Sequence, residues 1–225
     1  MYLSLKNNRQ KKKFTEIVEV YPDGRSKFFA QIFKNSGDIK ILNGWVYNFS
    51  DICHFLEEAL NKSSSQIEII ILSPDSKYVA LRAEEIGVSK NEVIEAITQN
   101  LTEIKVFAGR ISNSERRRLR VYTANYHLKF SFYARGQKAF IGFVWPKIYA
   151  VHGPQIFIDG KNGHLGKQVW KYYESLDKVE VMLFEEKNAS NQMHPTALRM
   201  RVFKLSGIFV SNCVYNHFPS SPGGR

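Results

Sequence analysis

Short apolar or alternating runs, separated by polar turns, dominate most of the chain. Residues 16–21 alternate apolar and polar positions, the Pro-Asp-Gly stretch at 22–25 is typical of a turn, and the alternation resumes over 27–33. This pattern predicts an N-terminal pair of strands. Residues 67–72 are nearly all apolar and rich in isoleucine, which is typical of a central strand covered on both faces.

Helical periods lie between the strands. Apolar residues of 52–60 fall on one helical face behind Ser50, and 77–86 and 90–101 form two further segments of this kind. Further strands are predicted over 104–108, 119–123, 127–133, 138–144, 155–158 and 179–184. One more helix is predicted between the last two of these strands. The predicted class is therefore α/β, a mixed β-sheet flanked by helices, with additional N-terminal strands and a C-terminal β-hairpin.

Length and composition favour one large domain with extensions. The chain has 225 residues, of which 44% are hydrophobic, enough to bury a sizeable core. The predicted division is a basic flexible N-terminus over 1–13, an α/β domain with the N-terminal hairpin over 14–186, a β extension over 187–217 and a disordered tail over 218–225.

The charge balance favours polyanionic partners. A net charge of +11 creates a positive field that attracts nucleic acid, nucleotides or an anionic membrane surface, although a solvated surface that maintains solubility gives the same balance. No apolar run approaches about 20 residues, so no membrane span is expected. The N-terminal segment is basic and polar without an apolar stretch after it, which argues against a signal peptide and favours a cytoplasmic location.

Cofactor and metal signatures are absent from the sequence. The two cysteines, Cys53 and Cys213, lie far apart, so neither a zinc knuckle nor a disulfide framework is expected. The chain contains no glycine-rich phosphate loop, no dinucleotide fingerprint and no His-Glu-x-x-His pair. We therefore predict no cofactor and no metal site.

The pair His127 and Lys129 is the strongest candidate for chemistry. On a strand, residues two apart share a face, so the imidazole and the ammonium group would point to the same side. A neutral imidazole can attack phosphorus while an ammonium group holds the phosphate oxygens. The competing interpretation is a half-exposed strand with ordinary polar residues on its solvent face.

Two further features are candidates for phosphate binding. The stretch from Ser73 to Ser76 follows the central strand directly, where it forms a turn and caps the next helix, and free N–H groups there would also attract an anion. An arginine cluster precedes the histidine strand and would form a positively charged funnel toward it, since guanidinium groups pair bidentately with phosphate. Its members are Arg116, Arg117, Arg118 and Arg120.

The order of these motifs resembles the phospholipase D-like domains of bacterial regulatory and defence proteins. The resemblance covers about 41–176: a strand ending in Leu-Ser-Pro-Asp-Ser at 72–76, a helix with Leu-Arg-Ala-Glu-Glu-Ile-Gly at 81–87, and later an aromatic helix with Val-Trp-Lys-Tyr-Tyr at 169–173. The superfamily motif is His-x-Lys-x4-Asp followed by Gly-Ser-x-Asn. His127 matches the histidine of this motif and Lys129 the lysine.

The remaining motif positions depart from the family. Ala134 stands in place of the aspartate, Gly142 lies one position late, and Phe143 and Trp145 replace the serine and the asparagine. The resemblance implies that the histidine is a nucleophile and the lysine a phosphate ligand. It also implies a homodimer, because the family uses two motif copies and this chain has one.

Three functions follow from these observations. The first is a phosphodiester-binding phospholipase D-like domain, with phosphodiesterase or nuclease activity if the homodimer is active. The second is a catalytically inactive sensor or adaptor module that binds nucleic acid or a nucleotide. The third is a basic protein-interaction subunit with an acidic protein partner.

Overall fold

The computed structural model describes the greater part of the chain, residues 17–21, 32–34, 36–46, 49–62, 64–144, 146–147 and 153–183. All of these residues belong to the first of two units into which the chain divides, residues 1–185 and 186–225. The predicted basic N-terminus over 1–13, the β extension with its hairpin and the tail after 218 lie outside the described residues.

The described strands form one mixed sheet. They are β1 (Ile17–Tyr21), β2 (Ile39–Asn43), β3 (Ile67–Leu72), β4 (Leu119–Ala124), β5 (Phe130–Arg135), β6 (Lys138–Phe143), β7 (Gln155–Asp159) and β8 (Lys178–Glu180). Their order across the sheet is β1-β7-β6-β5-β2-β3-β4-β8. The three strands β2, β3 and β4 are parallel and all other neighbours are antiparallel. The predicted α/β class with a mixed sheet is confirmed.

Five described helices surround the sheet: α1 (Phe49–Lys62), α2 (Val79–Ile86), α3 (Lys90–Arg110), α4 (Asn113–Arg116) and α5 (His164–Glu174). The connections from β2 to β3 and from β3 to β4 are parallel crossovers, which place α1, α2 and α3 on one face because such crossovers are right-handed. α5 covers the other face, where Trp170 and Tyr173 lie with their rings 5.1 and 5.5 Å from that of Phe132.

The predicted strand over 104–108 is wrong, because α3 continues through it to Arg110. Ile97, Ile104 and Ala108 are fully buried at helical spacing. The Phe107 ring also meets that of Phe49 in α1 edge to face, with centroids 5.8 Å apart. Packing against α1 therefore selects the helix over the strand.

The predicted N-terminal hairpin lies only partly within the described residues. Its first strand is present as β1, but β1 pairs with β7. Of its second strand, Ile32 and Phe33 are described, and they lie in a helical turn. Both are buried, and the Phe33 ring stacks on that of Phe55 in α1 at 5.4 Å. Contact with a helix therefore sets the conformation of these two residues.

Candidate functional site

Three loops meet at the carboxyl edge of the parallel strands, the position where open α/β sheets bind ligands. They follow β2, β3 and β4, and they carry residues 44–46, 73–78 and 125–129 of the described chain. The last loop contains His127 and Lys129, and the middle one contains Ser73 and Ser76. Tertiary structure thus brings these four predicted site residues to one edge.

His127 and Lys129 lie on a loop, whereas the sequence analysis placed them on a strand. β5 begins at Phe130, and residues 125–129 form no ladder. Between the pair, Leu128 is 3% exposed and packs inward, while Lys129 is exposed and the His127 side chain is 41% exposed. A buried leucine between two solvent-reached groups leaves both of them on the outer side of the loop.

A carboxylate from α2 holds the His127 ring. The Nε2 atom of His127 lies 3.0 Å from Oε1 of Glu85, and the other oxygen of Glu85 accepts a hydrogen bond from Nη1 of Arg82 at 3.2 Å. An ionised carboxylate can only accept, so Nε2 carries the hydrogen and Nδ1 carries the lone pair when the ring is neutral. The Arg82 side chain is 6% exposed, which makes this ion pair a largely desolvated support for the imidazole.

Aromatic contacts fix the rest of the histidine. The Tyr78 ring lies nearly parallel to the His127 ring, with centroids 5.8 Å apart. From α5, the Tyr172 hydroxyl donates a hydrogen bond to the His127 carbonyl oxygen at 3.0 Å, and burial raises the pKa of this tyrosine. The loop is therefore held from both faces of the sheet, by α2 and by α5.

Glu85, Arg82 and Tyr172 are not among the site residues predicted from the sequence. One signal was visible in the sequence: Arg82 falls among Val79, Ala83 and Ile86 on the apolar face of α2. A charged residue on such a face requires a partner, and Glu85 follows it at i+3 spacing. The contact of Glu85 with His127 spans 42 residues and carries no local signal.

Ser73 and Ser76 serve the turn itself. The Ser76 hydroxyl donates to Oδ1 of Asn125 at 2.7 Å and accepts from the Tyr78 N–H at 3.2 Å. The N–H groups of Ser76 and Val79 donate to carbonyl oxygens within the same turn. These groups are therefore not free for an anion. The predicted turn is present, but the predicted cap is not, because α2 follows Tyr78 without a side-chain capping hydrogen bond.

The arginine cluster lies at the opposite edge of the sheet from His127. Arg116, Arg117 and Arg118 precede β4, whereas His127 follows it, and six strand residues at about 3.3 Å each put roughly 20 Å between the two ends. Arg120 lies exposed near the start of β4, and its hydrogen bond with Tyr122 raises its pKa. The predicted funnel toward His127 is therefore wrong.

Two of these arginines close helix ends. Arg118 donates to the carbonyl oxygens of Leu60 at 2.6 Å and Ser65 at 3.3 Å, at the end of α1. Arg116 donates through Nε to the Ala108 carbonyl at 2.9 Å, at the end of α3. The last carbonyls of a helix have no partner within it, so both side chains satisfy groups that the fold would otherwise leave open.

The degenerate motif positions are apolar in the structure as well. Ala134 is buried in β5, and Phe143 stands at the end of β6, directly opposite Phe130. Trp145 lies outside the described residues. The hydroxyl, amide and carboxylate of the family motif have no replacement at these described positions.

The described residues contain neither a metal-binding cluster nor a helix that could span a membrane. No group of three or more His, Cys, Asp or Glu side chains there could hold a metal ion. None of its helices combines the length and the apolar character that crossing a membrane requires.

Comparison with known proteins gives similarities of fold. No family model matches the chain, and no curated protein matches it. Among solved structures, it is similar to TrmBL2, an archaeal chromatin protein described with a novel mode of DNA binding, at 13% identity and a TM-score of 0.43, over 74% of this chain and 55% of that one. It is also similar to phosphatidylserine synthase of Haemophilus influenzae Rd KW20, at 12% identity and a TM-score of 0.48, over 71% of this chain and 39% of that one.

A third similar structure is Nuc from Salmonella typhimurium, a phospholipase D family member, at 11% identity and a TM-score of 0.42, over 71% of this chain and 94% of that one. The chain spans about half of TrmBL2 and less than half of the synthase. At these identities the likeness concerns the fold alone. With TM-scores below 0.5 it carries no argument about function, which we argue from the site itself.

Proposed function

We propose that the carboxyl edge around His127 and Lys129 binds a phosphodiester of nucleic acid or of a nucleotide. The observation that carries this proposal is the contact of Glu85 with His127 at 3.0 Å, made where the imidazole is still reached by solvent. The ion pair of the buried Arg82 and the half-buried Glu85 orients a solvent-reached histidine beside an exposed lysine, which prepares that edge for a ligand.

The charge around the edge supports an anionic ligand. Arg82 offsets the charge of Glu85. Three exposed lysines lie at this edge or beside α2, together with the exposed Asp75 of the 73–78 loop. Lys77 lies with Nζ 5.1 Å from the Tyr78 ring, Lys147 donates its N–H to the Glu85 carbonyl at 2.6 Å, and Lys129 follows His127. Phosphate oxygens are the natural counterpart of such a group of ammonium ions.

Binding is better supported than turnover. His127 has the lone pair that attack on phosphorus needs, but leaving-group departure needs a second proton donor. A homodimer that apposes two copies of His127 would supply it. We therefore take phosphodiester binding as the function and hydrolysis by a homodimer as its catalytic extension, in a protein that we expect to be cytoplasmic.

The test is binding of a fluorescent oligonucleotide, followed by anisotropy over a range of salt concentrations. Lys129→Ala should weaken binding and reduce the slope of log K against log salt by about 0.7–0.9, the contribution of one phosphate contact. The matched control is Lys105→Ala. This lysine is also exposed, but it lies near the C-terminal end of α3, outside the loops that form the proposed site. Equal salt slopes in these two variants would contradict the proposed site.

Hydrolysis is measured separately, on bis(p-nitrophenyl) phosphate and on the same oligonucleotide. If the domain is active, His127→Ala abolishes product formation. If wild-type protein binds but releases no product, the domain is a binding module of the sensor or adaptor type.

A further inference from the structure

An aromatic cluster adjoins the proposed phosphate site on the other side of the 125–129 loop. We define the aromatic platform as Phe130, Phe143 and Tyr172. The first two are direct cross-strand partners at the end of the β5–β6 pair, so their side chains leave the same face of the sheet. The Tyr172 ring, from α5, lies 5.1 Å from that of Phe130.

The platform is reached by solvent where it meets the edge. Phe143 is 39% exposed, one of a few large apolar side chains of the described residues that are exposed, and Phe130 and Tyr172 are half-buried. Phe143 therefore presents a π-surface to an incoming group, beside its cross-strand partner Phe130.

The platform and the phosphate site are within reach of one ligand. Lys129 directly precedes Phe130, which is opposite Phe143. With about 3.8 Å between consecutive Cα atoms and up to about 5.5 Å across a strand pair, Lys129 and Phe143 have their Cα atoms within about 9 Å. Tyr172 links the two directly through its hydrogen bond to the His127 carbonyl.

We propose that this edge binds single-stranded nucleic acid, with a base stacked on Phe143 and the adjoining phosphate at Lys129. The inference rests on the proposed function and narrows it to ligands whose bases are unpaired. Flat π-faces next to cations are the elements that bind single strands without reading sequence. In a duplex the bases stack on each other and cannot reach the platform. The exposed lysines are complementary in charge to the phosphates of either kind of strand.

The test compares Phe143 variants on a single-stranded oligonucleotide and on its duplex. Phe143→Leu keeps an apolar side chain but removes the π-face, so single-strand affinity should fall about 5- to 150-fold, the equivalent of one stacked base. Phe143→Tyr keeps the ring and should stay within about twofold of wild type. Duplex affinity should change by less than about twofold in both variants.

Val106→Ala on α3 is the control, because it truncates another exposed apolar side chain. Circular dichroism and unfolding curves show whether each variant is folded. Equal single-strand affinities of Phe143→Leu and wild type would overturn the stacking inference while leaving the phosphate site in place. If Lys129→Ala loses single-strand binding while Phe143→Leu keeps it, the stacking inference is likewise overturned and the phosphate site remains.

Anionic vesicles containing phosphatidylglycerol form a second arm. If Phe143→Leu loses vesicle binding but keeps single-strand binding, the platform contacts lipid and the inference is overturned. If wild-type protein binds neither the single-stranded oligonucleotide nor its duplex, the proposed function itself fails.

Discussion

The three consecutive arginines give the sharpest test of how this structure assigns roles. Arg118 donates to carbonyl oxygens at the end of α1, whereas the exposed Arg117 side chain makes no hydrogen bond or ion pair with any residue that the structure describes. We therefore expect Arg118→Ala to destabilise the fold and Arg117→Ala to leave it nearly unchanged.

The magnitude follows from the contacts. A hydrogen bond from a charged donor contributes about 1.5–3 kcal/mol. The bond to Leu60 is 2.6 Å long, while that to Ser65 is 3.3 Å and the side chain is only half-buried, so the second contact contributes little. We expect a loss of about 2–3 kcal/mol in the free energy of unfolding for Arg118→Ala, or a fall in Tm of about 5–10 °C. For Arg117→Ala we expect a change within about 0.5 kcal/mol.

Urea unfolding followed by circular dichroism measures both variants under identical conditions. A loss in Arg117→Ala equal to that in Arg118→Ala, or an unchanged Arg118→Ala, would refute the capping assignment. Oligonucleotide binding by the two folded variants provides an independent check. If either arginine belonged to the phosphate site, its variant would show the reduced salt slope expected for Lys129→Ala.

Three further predictions concern stability. Hydrogen bonds from Ser89 lower the pKa of Glu92. This carboxylate therefore stabilises the fold fully above its ordinary pKa, roughly 4.3, and loses that effect as the pH falls through the lowered value. Ser89→Ala should move the Glu92 pKa upward in an NMR titration. Asn43→Ala removes the amide that donates to the buried Tyr133 hydroxyl at 2.8 Å, and should cost about 1–3 kcal/mol in urea unfolding. Gly136→Ala should lower the Tm, because this residue has φ 60° and its added Cβ would lie 2.8 Å from a backbone oxygen; an unchanged value in any of these measurements would contradict the corresponding contact.

Local pattern was sufficient where one period dominates. The isoleucine run became β3, and the helix predicted from residue 90 begins there as α3, behind a capping box at Ser89. It was insufficient at 104–108, where a short, mostly apolar run resembles a strand, while Ile104 and Ala108 are also spaced for one helical face. The burial of Phe107 against α1 decided between the two, and that contact is made by residues far apart in the chain.

The candidate site shows the same division. Sequence proximity suggested that the arginines and His127 cooperate, but the full length of β4 separates them. Conversely, Glu85 is distant in sequence from His127 and adjacent to it in space. α2 follows β3, and the loop with His127 follows β4; since β3 and β4 are parallel neighbours, both segments begin at the same edge of the sheet.

The sequence by itself determined the α/β class, the order of most elements, the excess of positive charge and the identity of the His-x-Lys pair. These properties depend on side-chain periodicity and composition, which are local. Only the tertiary structure decided which groups meet. It gives His127 a carboxylate partner, brings Tyr172 to Phe130 beside Phe143, and assigns two arginines to helix ends. Strand order and crossover direction set these meetings, and neither can be read from neighbouring residues in the chain.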